Sequence, residues 1–207
     1  MTITYPLSMS GLQKPSQIEL SMTDVVGMNV SPVTLQQETF EWPGKAWSVT
    51  LTWDKVVGRA SAEAIFAFLA SLKGVLGTFY VGDPLGASPR GSGTGALVNG
   101  TVAAGASQIT TKGWTPSASG VLLKGDYLQL GSGTAQRLYK ALGDVNADGS
   151  GHATIDVWPT IREGYADGAV ITLTNTAGTF RLSGNPRSAK IGSPFVYSFQ
   201  LQATEAL

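Results

Sequence analysis

Along the chain, apolar residues recur mostly at every second position, in short runs broken by Gly, Pro, Asn and Asp, which is the pattern of half-buried strands joined by tight turns. Leu35 to Trp42 and Ala46 to Trp53 are rich in β-forming residues, and Pro43-Gly44 between them has turn chemistry, so a hairpin is predicted there. In the second run Trp47, Val49, Leu51 and Trp53 alternate with Ala46, Ser48, Thr50 and Thr52, which puts one face in a core. A helical period occurs from Ser61 to Lys73, where Ile65, Phe68, Leu69 and Leu72 form one stripe. Ser61 is the candidate N-cap, Glu63 suits the positive end of the helix dipole, and Lys73-Gly74 provides the stop. This helix is expected to lie on a sheet.

Strand character returns at Gly77 to Gly82, and the stretch from Asp83 to Gly95 then breaks all regular structure. Short β patterns follow at Ala96–Val102, Ser107–Thr111, Tyr127–Leu130, Arg137–Leu142, Ala153–Trp158 and Ala169–Leu173, as in a small β-barrel or sandwich. After a second break near Asn175, strands are expected at Thr179–Ser183 and Phe195–Gln202. In the last of these Phe195, Tyr197, Phe199 and Leu201 alternate with Val196, Ser198 and Gln200. A terminal strand with that aromatic face needs a sheet to join, and the N-terminal segment supplies one. The expected fold is therefore all-β with one α-helix: a discontinuous domain of residues 1–94 plus 178–207, with residues 95–177 inserted as a small β domain.

Composition narrows the function. The chain has 207 residues, 43% of them hydrophobic, and no cysteine, which excludes disulfides, zinc ribbons and thiol catalysis. Its 14 basic residues balance 14 acidic ones, nine against eight in the discontinuous domain and five against six in the insert. No basic block is available for a phosphate backbone, so nucleic-acid binding is not expected. The charged fraction is 14%, where about 25% is usual, which leaves surface suited to meeting other proteins or covered by Ser, Thr and Gly. The N-terminal residues lack a basic and apolar leader, and no run is long enough to span a membrane, so synthesis in the cytoplasm without membrane insertion is expected.

Candidate chemistry is sparse. Asp144, Asn146, Asp148 and Gly149 match the first half of a calcium loop, but Ile155 stands where its bidentate Glu belongs, and an Asp/Asn/Gly turn is the favoured reading. His152, the only histidine, sits in that same loop with no nucleophile elbow in the chain. Glu38 and Glu41, three apart, point to opposite faces of a regular strand and not across a cleft. Gly91-Ser-Gly-Thr and Gly131-Ser-Gly-Thr lack a P-loop's Lys and framing, and read as linker and turn. Trp42, Trp47, Trp53, Trp114 and Trp158 could stack sugars, yet three lie in the hairpin, where a β core needs bulk. No catalytic, cofactor or metal residue is assigned, and no enzyme activity is expected.

Several segments in succession carry a resemblance: Tyr5-Pro-Leu-Ser, Val26-Gly, Ser31-Pro-Val-Thr, Phe40-Glu-Trp-Pro-Gly-Lys-Ala-Trp, Phe68-Leu-Ala-Ser-Leu-Lys-Gly, Phe79-Tyr-Val-Gly-Asp-Pro, Ser88-Pro-Arg-Gly and Gly178-Thr-Phe-Arg-Leu. In this order they resemble tail proteins of long-tailed bacteriophages and prophages, of the distal tail protein type. The resemblance implies a split β-barrel forming a homohexameric ring at the tail tip, with a peripheral β domain, sometimes an oligosaccharide-binding-type barrel. It also implies a structural role in the virion baseplate, between the tail tube protein and the hub or tip proteins. Ring contacts would account for the low charge. The alternatives are a module that recognises host carbohydrate through residues 95–177, using Trp114 or Trp158, and, more remotely, a peptidoglycan-degrading tail enzyme.

Overall fold

The computed structural model describes residues 3–192 and 196–207. The chain is mostly β with one α-helix and includes a nearly closed, barrel-like sheet. In order, its elements are β1 (Gln17–Val30), β2 (Gln37–Val57), α1 (Arg59–Ser71), β3 (Thr78–Val81), β4 (Ala96–Val98), β5 (Gln108–Lys112) and β6 (Tyr127–Leu130). There follow β7 (Arg137–Ala141), β8 (His152–Trp158), β9 (Val170–Ile171), β10 (Gly178–Leu182), β11 (Ala189–Gly192) and β12 (Val196–Glu205).

One sheet runs β1-β2-β12-β10-β3, with β11 also on β12, so that the C-terminal strand lies between N-terminal β2 and β10. The other runs β6-β7-β8-β5-β4-β9. Its two ends approach each other, because Gln129 on β6 and Thr172 just after β9 exchange backbone hydrogen bonds, both of 2.9 Å. The second sheet has its own core, built from residues between Ala96 and Leu173. The core of the first sheet is built from Trp47 to Val81 and Phe180 to Ala203, together with Leu138 and Trp158 from the second unit. The two crossings between units run side by side: the Asn175 amide donates to the Ala87 carbonyl over 2.6 Å.

Local sequence explains most of these elements. Trp47, Val49, Leu51 and Trp53 are all buried along β2, and Phe199, Leu201 and Ala203 are buried along β12 while Gln200 and Gln202 are exposed. Phe195, expected to begin that face, lies outside the described residues. In α1 the stripe of Ile65, Phe68, Leu69 and Leu72 is buried, and Phe68 meets Phe79 edge-to-face at 5.8 Å. The helix begins at Arg59, earlier than expected. Gly58 occupies the N-cap at φ 90° with no side-chain cap, which places Ser61 inside the first turn. Past its end Lys73 and Gly74 are both left-handed, with φ 51° and 71°.

The hairpin expected around Pro43-Gly44 is not formed. β2 continues through those residues and pairs with β1, and the turn lies at Ser31 to Gln36, where the Ser31 and Leu35 amides donate to Gln36 and Ser31 carbonyls over 2.9 Å. Asp24 faces Lys45 but Val26 faces Glu41, so β2 spends four steps where β1 spends two. Pro43 cannot donate to a ladder and therefore suits this bulge as well as it would suit a turn. A Cβ at Gly44 would come 2.9 Å from a methyl of Val25, so a larger residue there would require that side chain to shift. Two strands, β1 and β11, were not expected at all. β4 and β9 are shorter than expected, with Val102 reduced to an isolated bridge to Tyr165.

Candidate assembly surface

Beyond Met22 the β1–β2 hairpin leaves the body as an arm, and no residue from Met22 to Gly44 is buried. Pairing continues to Val30 and Gln37. Six steps from Asp24 to Val30, at about 3.3 Å each, carry it roughly 20 Å past its root. Partners across an antiparallel pair share a face. Ile18, Leu20 and Met22 oppose Leu51, Val49 and Trp47 on the core side, and the alternation of β1 carries the same stripe on to Val26, Met28 and Val30. The stripe outruns the core: Met28 is 62% exposed. On the other face Phe40 is 50% and Trp42 61% exposed, with the Trp42 indole nitrogen lying over Gly27, 3.7 Å from where a Cβ would stand. Both faces of the arm thus carry apolar side chains that the described residues leave exposed, which is costly unless something packs on them. Between residues 25 and 44 the only charges are Glu38 and Glu41.

Elsewhere on the same sheet a groove of about 840 Å³ opens between α1 and the β11–β12 hairpin, lined by Phe66, Ala67, Ala70, Ile191 and Tyr197. Arg59 and Glu63, paired with each other at 3.4 Å, also line it, and Ile191 and Tyr197 form the wall opposite α1. β1 and β3 end the sheet, and the Leu7 backbone pairs with Thr78 and Tyr80 of β3, whereas no described strand pairs with the outer edge of β1.

The root of the arm is gripped by the second unit. The Trp158 indole N–H donates to Asp24 Oδ1 over 2.8 Å, and its ring stands edge-to-face on Trp47 at 4.7 Å. Trp47 donates its own indole N–H to the Leu138 carbonyl over 2.9 Å. Arg162 Nη2 forms a 2.6 Å ion pair with buried Glu205 and also donates to the Lys45 carbonyl. Asp24 and Lys45 are register partners, so one loop of the second unit holds both strands where the arm begins.

The residues singled out from the sequence are used locally. Asp144 accepts from the Lys124 amide and Asn146 from the Gly120 amide, each over 2.7 Å, while Asp148 accepts from the Ser150 and His152 amides over 2.8 and 2.9 Å. These oxygens close turns, and the hydrogen bonds from His152 and Ser150 hold the Asp148 carboxyl below its ordinary range. Among the described residues no three His, Asp or Glu side chains converge as a metal site. Glu38 opposes Asn29 and Glu41 opposes Val26, on opposite faces, and Glu41 pairs with Lys45 at 2.7 Å. Trp114 is buried in the second core and donates to Thr111 over 2.7 Å; with Trp47, Trp53 and Trp158 also buried, only Trp42 of the five presents its ring.

One acid unremarked in the sequence is central to the linker. Asp126 is buried, and burial opposes its charge, but the amides of Leu123, Arg90 and Gly91 and the Arg90 guanidinium outweigh that and hold its carboxyl below the usual range. Arg90-Gly91 is thereby pinned to the second unit. No described helix is long and apolar enough to cross a membrane. The chain matches no protein-family model and no curated protein.

Proposed function

We propose that this chain is a structural, ring-forming component of a phage tail tip, in which the arm of each copy lies on the neighbouring copy. The observation that carries this reading is the arm itself: about 20 Å of hairpin with apolar side chains on both faces, continuous with a core stripe, and left exposed by the described residues. A second copy supplies a matching apolar surface. The arm bears only Glu38 and Glu41 as charges, and the groove beside α1 is lined by Phe66, Ala67, Ala70, Ile191 and Tyr197, with Arg59 and Glu63 paired to each other. An arm meeting a different surface of the next copy makes a heterologous contact, which gives a ring where the rotation between copies closes and a filament where it does not. The motif succession from Tyr5 to Leu182 adds the phage tail setting, and with it a hexamer between the tail tube protein and the hub or tip proteins. The role is assembly, without catalysis, in the virion.

The carbohydrate-binding reading named Trp114 and Trp158 as its platform, and both rings are packed in cores. Mass photometry of the purified chain tests the proposal: a cyclic oligomer is expected, reduced to monomer by Met28→Lys. A monomer at high concentration with tail proteins added, or cleavage of cell-wall material, would rule it out.

A further inference from the structure

We infer that the unit formed by residues 95–177 is a brace that sets the direction of the assembly arm, with Trp158 and Arg162 as its positioning residues. The inference rests on the arm being the assembly element. A hairpin that leaves its sheet at a bulge has no neighbouring strand to fix its angle, because bulges bend and twist the strand that carries them. Here the bend falls between Asp24 and Val26, and the second unit reaches that place from two sides. Trp158 binds the Asp24 carboxylate on β1, and Arg162 binds the Lys45 carbonyl on β2. Neither group is free to drift. The Trp158 ring is held against Trp47, and Arg162 is tied by both Nε and Nη2 to Glu205 on β12, whose other contact is the Trp47 amide. The Arg162 backbone amide also donates to the Tyr139 hydroxyl inside the second barrel over 3.1 Å. A continuous set of polar contacts therefore runs from the second core to both strands of the arm's root. The four-residue step through Trp158 and Arg162 does for the arm what an adjacent strand would do in a closed sheet.

The absence of cysteine allows a direct test on the full chain. Nitroxide labels at Val33→Cys, in the arm's turn, and Thr154→Cys, exposed on β8, report the arm's angle to the second unit when labelled chains are diluted with unlabelled ones. The parent is expected to give one narrow distance distribution. Trp158→Phe keeps an aromatic ring but loses the N–H donor, and should at least double the width. Asp24→Asn, whose amide oxygen still accepts that N–H, should stay narrow, while Asp24→Leu should broaden. The assembly midpoint of unlabelled Trp158→Phe chains should rise about tenfold, the expected cost of one hydrogen bond to a charged group. Arg162→Lys provides a second, independent loosening should Trp158→Phe prove unstable. Equal widths in the parent, Trp158→Phe and Arg162→Lys chains would overturn the inference, as would broadening with unchanged assembly. Failure of the parent chain to form any ring would instead strike the ring reading, and the distance widths would still decide the brace.

Discussion

Asp126 shows how much a single buried carboxylate organises here, because its two oxygens accept from three backbone amides and one guanidinium across the linker. Its folded pKa is depressed, so its contribution to stability is complete above the unfolded value, near 3.9, and is lost as pH falls through the folded one. Denaturant midpoints should therefore fall below about pH 4, and Asp126→Asn should lower stability at pH 7 by about 2–3 kcal/mol while flattening that acid dependence. An unchanged acid limb in Asp126→Asn would show that other carboxylates govern it. On α1, Phe68→Ala should cost about 3–5 kcal/mol, because the ring is buried against Phe79, whereas exposed Lys73→Ala should cost only tenths. Equal small losses in thermal melts would contradict the assigned helix face. Asp144→Ala should remove one turn hydrogen bond, costing about 1 kcal/mol, and a chelator should change neither stability nor assembly.

At the scale of elements, legibility followed burial. α1 and β12 could be read because each buries one face and exposes the other, so their periods of 3.6 and 2 survive in the residue types. β1 is harder to read: Asp24 and Val25 interrupt the alternation between Ile18, Leu20, Met22 and Val26, Met28, Val30, and its outer half is exposed on both faces. An apolar stripe that runs on past the core is the signature of the arm, and Phe40 and Trp42 carry the same signal on β2. Pro43-Gly44 was misread because a bulge and a turn draw on the same two residues. Since Met28 and Trp42 are more than half exposed, Trp42→Ala and Met28→Lys should leave the monomer's melting temperature nearly unchanged, yet weaken assembly by about 2 kcal/mol or more per contact. A large drop in monomer stability would mean that the arm serves the fold instead.

For the whole molecule, the proposal is an assembly in which the exposed apolar surface of one hairpin is covered by another copy. The sheet brings the C-terminal strand, through Glu205, to the root of that hairpin, and the second unit grips the root through Trp158 and Arg162. The low charge of the chain, 14%, belongs with this: the arm can be buried with few charges to desolvate. The most direct measurement is the mass of the purified chain in solution across concentration. A closed species near six copies of the 21.6 kDa chain, about 130 kDa, is expected, one that persists on dilution and is lost in the Met28→Lys chain. A species that stays at the monomer mass at high concentration, or an oligomer untouched by Met28→Lys, would contradict it.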